Sequence, residues 1–405
     1  MKSSRLWQFR IFGATWLAYA SLYLCRKNFS VILPLLRSEE GLRLEELAAT
    51  LSVYSGCYCL GQLGSGLLSD RWGARRVVAA GMLFSAAATA AMGFLPGIPS
   101  LLALQAVNGL AQACGWPGVL KLMAEWIPVE RRGATMAWWG SHLVVGGLAA
   151  TVFATWAATG PVMVALGWRR AVWWPALALA LVAAVFWTLA RDGVRSTPRR
   201  PVLWKGLGEV VRNRAVQAIA GMYFCVKLTR YVFLFWLPTY MTEQLGYGVA
   251  DAGYTASMFE VAGFAGIVGA GYLSDRAFGG RRFPVGSLLL LLLAGACLLH
   301  PRLASAGRWG NLAGIAFIGA LIFGADALMS GAGTQDAVRT KVAATAGGVT
   351  NAVGSLGQIL SAPVAALISQ RFGWDAVFVL LMLFSLVGAL LLMTQWGFRR
   401  SPALA

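Results

Sequence analysis

The stretch Gly-Leu-Leu-Ser-Asp-Arg at residues 66–71 recurs as Gly-Tyr-Leu-Ser-Asp-Arg at residues 271–276, and both copies are followed by glycine and paired arginines. The aspartates of the two copies are 205 positions apart. A second landmark repeats at nearly the same offset, because Arg26 and Arg230 lie in apolar stretches 204 positions apart. Two landmarks at one offset predict that the chain contains two copies of one structural unit.

The composition is typical of a membrane protein. Hydrophobic residues make up 58% of the 405 residues and charged residues 12%, whereas soluble domains carry about 25% charged residues. The formal net charge of +18 also fits nucleic-acid-binding proteins. Here, however, the basic residues lie between apolar segments, where membrane proteins place the charges that orient them. We therefore expect the lipid bilayer, and not nucleic acid, as a partner of this chain.

Hydropathy predicts twelve transmembrane helices in two sets of six. The predicted fold class is an all-α membrane protein with two pseudo-symmetric six-helix bundles, residues 1–190 and 215–405, joined by a polar linker at 191–214. Lys and Arg concentrate at the termini, in the linker and in the loops on the same side, which is expected to be cytoplasmic. The predicted spans are 11–36, 46–69, 77–95, 99–126, 133–160, 168–190, 215–241, 250–274, 284–300, 310–331, 343–370 and 374–397.

Arg26 lies deep inside the first predicted span. A helix rises about 1.5 Å per residue, so Arg26 lies roughly 22 Å from Ile11 along a hydrocarbon core about 30 Å thick. A charge at this depth is costly unless it faces water or a partner. Tyr19, Tyr23, Arg26 and Lys27 are spaced i, i+4, i+7 and i+8, so they share one helix face. This polar stripe predicts a binding site for an anion.

The seventh predicted span repeats this arrangement, because Tyr223, Lys227 and Arg230 are spaced i, i+4 and i+7. Arginine suits phosphate because its planar fork binds two oxygens at once. Arg26 and Arg230 occupy equivalent places in the two halves. We therefore predict that one arginine from each half grips a single phosphate near the middle of the membrane.

Other polar residues inside the spans have alternative interpretations. Glu260, with a structural or gating role, and Asp326 are possible ion-pair partners of the two arginines. Asp326 is also a candidate for hydrogen bonding to sugar hydroxyls or for pairing with Lys227. His142 is either a donor to phosphate or a hydrogen-bonded packing residue, and the tyrosines of the stripes are either ligands or amphipathic filler. Lys121 lies towards the cytoplasm, where gating or snorkelling competes with ligand contact.

The repeated motif places two aspartates, Asp70 and Asp275, at predicted cytoplasmic helix ends beside Arg71, Arg75 and Arg276. These aspartates are able to pair with cations or helix N-termini of neighbouring helices and so hold one gate state. The alternative is a charge cluster that only fixes the membrane topology.

The span count, the duplication and the motif resemble the major facilitator superfamily, whose loop between the second and third helices carries a Gly-x-Leu-x-Asp-Arg-x-Gly pattern. Within it, the chain resembles the organophosphate:phosphate antiporters, which include bacterial glycerol-3-phosphate and hexose-phosphate transporters and the animal glucose-6-phosphate translocase. This second resemblance lies in residues 23–29, 108–117, 230–240, 259–263 and 372–375.

The resemblance implies transport by alternating access. It assigns Arg26 and Arg230 as the phosphate-gripping pair and Lys27 and His142 as further site residues. Lys227 stands where the glycerol-3-phosphate branch looks to have tyrosine, while the glucose-6-phosphate translocase branch appears to have lysine. An extra cation suggests an organic part that is more highly charged or differently shaped.

We therefore predict a secondary active transporter, not an enzyme, that exchanges an organic phosphate ester for inorganic phosphate by antiport. The ester is of the sugar phosphate, glycerol-3-phosphate or phosphoglycerate type. We expect a monomer in the inner membrane of a bacterium, with both termini cytoplasmic and with neither a cofactor nor a metal. The alternatives are a proton-coupled symporter of an organic anion and a sensor of the same fold that binds a phosphate ester without transporting it.

Overall fold

The computed structural model describes residues 2–95, 97–127, 135–136, 138–193, 207–338 and 343–398, without the side chains of residues 2–5, 63, 343 and 344. Regular secondary structure within these ranges is helical throughout. The main helices are α1 (Lys2–Leu22), α2 (Leu24–Glu40), α3 (Leu44–Trp72), α4 (Ala74–Met92), α5 (Ile98–Ala113), α6 (Gly115–Trp126), α7 (His142–Thr159), α8 (Arg170–Leu189), α9 (Leu207–Arg212), α10 (Arg214–Gln244), α11 (Val249–Tyr272), α12 (Arg282–Ser305), α13 (Arg308–Ala327) and α14 (Ala343–Met393).

The predicted spans coincide with these helices. Seven helical segments in the described ranges combine the length and the apolar composition of a membrane span. The last of them, α14, contains the eleventh and twelfth predicted spans, which meet at Gly373 with φ 80° and ψ 172°. Glycine reaches this conformation without the steric cost that a side chain imposes. The fifth predicted span begins at 133, outside the described residues, and α7 forms its later part. The all-α membrane fold is confirmed.

Two predicted spans are interrupted rather than continuous. The first span divides into α1 and α2 at Tyr23, where the amide of Tyr23 donates to the carbonyl of Ala20 at 3.3 Å and the amide of Arg26 donates to that of Tyr23 at 3.1 Å. These three-residue bonds tighten the helix locally. The fourth span divides into α5 and α6 at Cys114 in a similar way. The first interruption lies three residues before Arg26.

Glycines permit the closest helix contacts, and equivalent helix pairs use them in both halves. Between α3 and α5, a Cβ atom on Gly109 would lie 2.4 Å from the carbonyl oxygen of Tyr54. Between α11 and α13, a Cβ atom on Gly266 would lie 1.9 Å from the carbonyl oxygen of Ala320. Small residues let helix backbones approach closely in membranes. The second and fourth spans of each half therefore pack through the same device, as expected for a duplicated unit.

The chain divides into two compact units, one of Met1–Arg199 with Met241–Ser257 and the other of Arg200–Tyr240 with Met258–Ala405. Part of the predicted linker, residues 194–206, lies outside the described residues. The domain boundaries proposed from the sequence therefore stay a prediction. In the first unit, the apolar core is built around large buried side chains that include Leu22, Met82, Leu122, Trp139 and Phe186.

Candidate functional site

Arg26 lies on the first turn of α2, immediately after the interruption at Tyr23, and is 8% exposed. Its Nε donates a hydrogen bond of 2.9 Å to Oε1 of Gln112. Its guanidinium carbon lies 4.9 Å from the ring centroids of both Tyr23 and Tyr58. Its Nη2 is buried and has no hydrogen-bond partner among the described residues. The cation is thus held by an amide oxygen and two aromatic faces, which leaves donor capacity for a ligand.

Gln112 belongs to a buried polar network that joins α2, α3, α4 and α5. Its Oε1 also accepts from the hydroxyl of Tyr54 at 3.0 Å, and its Nε2 donates to Ser85 and Asn108 at 3.2 Å each. Asn108 in turn donates to the carbonyl of Cys25 at 3.0 Å. The network therefore fixes both the side chain of Arg26 and the backbone beside it. The sequence prediction missed these residues, although Asn108 and Gln112 are one helical turn apart in an apolar span.

Gln112→Leu is expected to raise the KM for phosphate about tenfold, because a hydrogen bond to a charged group contributes about 1.5–3 kcal/mol and 1.4 kcal/mol corresponds to a factor of ten. The maximal rate should change much less, since Gln112 positions Arg26 and is not itself expected to contact the ligand. Val107→Leu, at an exposed position of the same helix, is the control and should retain the wild-type KM. An equal rise in both variants, measured by concentration-dependent exchange, would contradict this role.

His142 is fully buried at the start of α7. Its Nδ1 lies 2.5 Å from the carbonyl oxygen of Trp139, so Nδ1 carries the hydrogen of this bond. Its ring centroid lies 4.6 Å from that of Tyr19, and Tyr19 lies 6.1 Å from Tyr23. The Nε2 atom has no hydrogen-bond partner in the described part of the chain. His142 is thus one of an aromatic cluster beside the Arg26 site, and its donation to phosphate stays a prediction that requires the doubly protonated ring.

Arg230 lies on α10 and forms an ion pair with Asp326 of α13. Its Nη1 lies 2.6 Å from Oδ2 of Asp326, and its guanidinium carbon lies 4.3 Å from the ring centroid of Phe323. Of the alternatives that the sequence left open, the structure supports the pairing of Asp326 with Arg230. Lys227 instead donates to Oδ1 of Asn351 at 2.8 Å. The partner of Asp326 is Arg230, because this arginine reaches α13 from the neighbouring turn of α10.

The remaining predicted site residues are buried in the same two regions. Lys27 is 5% exposed, and the hydroxyl of Ser30 donates to its carbonyl at 2.8 Å. Tyr223 lies under the Lys227 ammonium, with 5.0 Å between the nitrogen and the ring centroid. Glu260 is 2% exposed on α11. The polar stripes predicted on the first and seventh spans therefore consist of buried side chains, except for Arg230, whose side chain is 19% exposed.

At the predicted cytoplasmic side of the first half, Asp70 pairs with a lysine rather than with the neighbouring arginines. Nζ of Lys121 lies 2.9 Å from Oδ1 of Asp70 and donates to the carbonyl of Ser69 at 2.8 Å. Glu125, at 4.0 Å from the same nitrogen, accepts from the amide of Gly193 at 2.9 Å. Lys121 thus links the end of α3 to α6, which supports a gating or structural role over ligand contact.

Arg75 and Arg71, also predicted at this side, differ in their surroundings. Arg75 donates from its side chain to the carbonyl of Trp187 and from its amide to Oδ1 of Asp192 at 2.9 Å. Asp192 also lies against Gly73, whose φ of 91° and close approach both require glycine. Arg71 is exposed. The sequence assigned Asp192 only to the linker and missed this role.

The equivalent region of the second half has a different partner for its aspartate. Nη1 of Arg282 lies 2.5 Å from Oδ1 of Asp275, and Nε of Arg282 lies 3.6 Å from Oδ2 of Asp336. Arg276, the arginine predicted here, is exposed and lies over the ring of Tyr272 on the preceding turn. Both repeated aspartates therefore pair with a cation. In the first half the cation is Lys121 of α6, and in the second half it is Arg282 of α12.

Comparison with known proteins identifies the family. Residues 15–362 match the family model described as the Major Facilitator Superfamily. This chain belongs to that superfamily. It is an integral membrane protein, as the hydropathy predicted, and the seven span candidates in the described ranges are consistent with the fold of this superfamily. Among solved structures of the superfamily, a bacterial homologue of the human lysosomal transporter Spinster, in an inward-facing and occupied conformation, matches with a TM-score of 0.82 and 16% identity over 96% of this chain and 98% of that one. This similarity establishes the fold alone.

Relatives of known type match this chain over most of its length. The glycerol-3-phosphate transporter of Bacillus subtilis strain 168 is 27% identical over 96% of this chain and 92% of its own length. The membrane sensor protein UhpC of Escherichia coli K12 is 26% identical over 96% and 92%. The glucose-6-phosphate exchanger SLC37A2 of Danio rerio is 27% identical over 83% and 76%. These are the classes that the sequence motifs resemble, so the resemblance to organophosphate:phosphate antiporters is confirmed.

Proposed function

We propose that this protein is a secondary active transporter that exchanges an organic phosphate ester for inorganic phosphate. The observation that carries the proposal is the buried Arg26 cation, whose partners are neutral groups and whose Nη2 retains unused donor capacity. A buried cation of this kind is costly, and an anionic ligand offsets that cost. The names of the relatives, transporters and exchangers of glycerol-3-phosphate and glucose-6-phosphate, support a phosphate ester as that ligand.

In this proposal Arg26 and Arg230 bind the phosphoryl group during transport. Lys27, Lys227 and the three tyrosines Tyr19, Tyr23 and Tyr223 supply further donors, and His142 joins them when its ring is doubly protonated. The ion pairs at Asp70 and Asp275 hold one gate state, and the two six-helix bundles alternate access. The protein acts in the inner membrane of a bacterium, as a monomer with both termini in the cytoplasm.

The requirement for exchange is explained mainly by the charge of Arg26, in the first half of the chain. The charge of Arg230 is balanced by Asp326 at 2.6 Å, whereas the contacts of Arg26 are neutral. Reorientation without a bound anion would therefore carry an uncompensated cation at Arg26 through the closed state, which is unfavourable at low dielectric. Phosphate bound at Arg26 removes this penalty, so transport in one direction requires transport in the other.

Reconstitution tests the proposed function. Liposomes that contain the purified protein and are preloaded with inorganic phosphate are expected to take up labelled phosphate, and liposomes without internal phosphate are not. Glycerol-3-phosphate, hexose 6-phosphates, phosphoglycerates and phosphoenolpyruvate, added outside, rank the organic substrates by competition. Uptake driven by a pH gradient into phosphate-free liposomes would instead identify a proton-coupled symporter. Phosphate-ester binding without any exchange would identify a sensor, which is what the name of the UhpC relative describes.

A further inference from the structure

The two arginines at equivalent positions of the repeat have partners of different charge. Arg26 contacts the side-chain oxygen of Gln112, a neutral amide. Arg230 contacts Asp326, a carboxylate that is 5% exposed, through Nη1 at 2.6 Å. The duplication therefore preserves the cation but not its environment. Among the contacts of the described residues, Arg230 has a buried carboxylate within hydrogen-bond distance, and Arg26 has none.

A carboxylate and a phosphoryl group compete for the same guanidinium atoms. The carboxylate is planar and the phosphoryl group is tetrahedral, but each presents a pair of oxygens that accept charge-assisted hydrogen bonds from the arginine fork. Oδ2 of Asp326 occupies one N–H of Nη1, and a phosphate oxygen takes that N–H of Arg230 only if the carboxylate moves away. Breaking an ion pair that is largely shielded from water costs free energy. A phosphate that binds Arg230 through this N–H must therefore use part of its binding energy to displace Asp326.

The backbone after Asp326 brings a second hydrogen-bond donor to its carboxylate. Residues Leu328–Gly333 form a π-helical segment rather than a continuation of α13. This segment places the hydroxyl of Ser330 3.4 Å from Oδ1 of Asp326, the carboxylate oxygen that does not contact Arg230. Wide helical turns of this type occur frequently at functional sites. Ser330 is thus in position to donate to the carboxylate when Arg230 releases it.

We propose that Asp326 is an intramolecular competitor of the transported phosphate, which occupies Arg230 between transport events and yields it to the phosphoryl group. This inference rests on the proposed function and adds a residue that sets substrate affinity and release. The competition weakens phosphate binding in the second half, and it speeds release because the carboxylate replaces the departing anion. Asp326 is then a determinant of turnover and not a ligand of the organic part of the substrate.

The test is the binding of labelled inorganic phosphate to the detergent-purified full chain, measured by equilibrium dialysis. Asp326→Asn is expected to bind phosphate about tenfold more tightly, since close buried charge pairs show coupling of this size or larger. Its exchange rate at saturating phosphate should fall, because release no longer has the carboxylate to assist it. Asp326→Glu keeps a competing carboxylate and should remain near the wild type. Asp375→Asn removes an exposed carboxylate of the same half and serves as the control.

A double-mutant cycle separates competition from a purely structural role. In an Arg230→Gln background, Asp326→Asn should no longer tighten phosphate binding, because the contested guanidinium is gone. Unchanged or weaker binding in Asp326→Asn, or tighter binding that persists in the Arg230→Gln background, overturns the inference. Asp326→Ser replaces the asparagine variant if that variant does not purify as a folded protein. Failure of the proposed function is distinct, because the wild-type chain would then either bind no phosphate or bind it without exchange in liposomes.

Discussion

Arg26→Ala is expected to lower phosphate exchange to the background of protein-free liposomes, a loss of at least about a hundredfold. Two charge-assisted hydrogen bonds from the guanidinium fork contribute about 1.5–3 kcal/mol each, and each 1.4 kcal/mol corresponds to a factor of ten. The neighbours of Arg26 are neutral, so its removal leaves no carboxylate without a partner. The variant should therefore fold, and the loss should reside in phosphate binding. Labelled-phosphate uptake into phosphate-loaded liposomes measures it.

Three further variants define the cause of this loss. Arg26→Lys retains the charge but not the planar fork, so its exchange should lie between those of the wild type and the alanine variant. Arg230→Ala should also abolish exchange, but it leaves Asp326 buried without its partner, and its stability must be measured alongside. Arg302→Ala removes an exposed arginine and should behave as the wild type. Exchange at the wild-type rate in either Arg26→Ala or Arg230→Ala would contradict the proposed site.

The second large effect is expected for the fold rather than for transport. Gly266→Ala places a Cβ atom 1.9 Å from the carbonyl oxygen of Ala320 and 2.5 Å from its carbonyl carbon, so α11 and α13 must separate. Backbone atoms cannot rotate away as a flexible side chain does. Overpacking of this type destabilises by about 1–3 kcal/mol or more. A lowered unfolding temperature and a loss of monodisperse protein in size-exclusion chromatography are the expected results.

Gly269→Ala is the matched control for this prediction. It lies on the same helix, and a Cβ atom there meets nothing within 4 Å among the described residues. Because alanine favours helix over glycine by about 1 kcal/mol, this variant should be as stable as the wild type or more so. The two substitutions therefore have opposite expected signs. Equal stability of both variants would contradict this prediction, because it would show that α11 and α13 can separate at little cost in free energy.

The sequence was sufficient for the fold because span prediction uses local information. Apolar stretches of membrane length, the cation bias of the loops and the recurrence of residues 66–71 at 271–276 are all properties of neighbouring positions. The polar stripe at Tyr19, Tyr23 and Arg26 also follows from helical spacing, and all three are buried. The local change in hydrogen bonding at Tyr23, within the first span, was not predicted, since hydropathy is insensitive to it.

The partners of the charged residues were harder to predict. Lys227 and Arg230 are both compatible with Asp326 by charge, and one turn of helix decides which of them reaches it. Asp70 was expected to pair with a cation or a helix N-terminus of a neighbouring helix, and the structure identifies that cation as Lys121 of α6. Gln112 attracted no role because a neutral amide in an apolar span carries no obvious charge cost. Each of these pairings depends on the rotation of one helix relative to another, which a single sequence does not specify.

By itself, the sequence determined that the chain crosses the membrane as two copies of a six-helix unit and that each copy carries an arginine at equivalent depth. Only the tertiary structure decided that one arginine meets an amide and the other a carboxylate. These contacts join residues 86 and 96 positions apart, from Arg26 to Gln112 and from Arg230 to Asp326. Hydropathy and helical periodicity act over a few turns of chain, whereas such contacts are set by how whole helices pack.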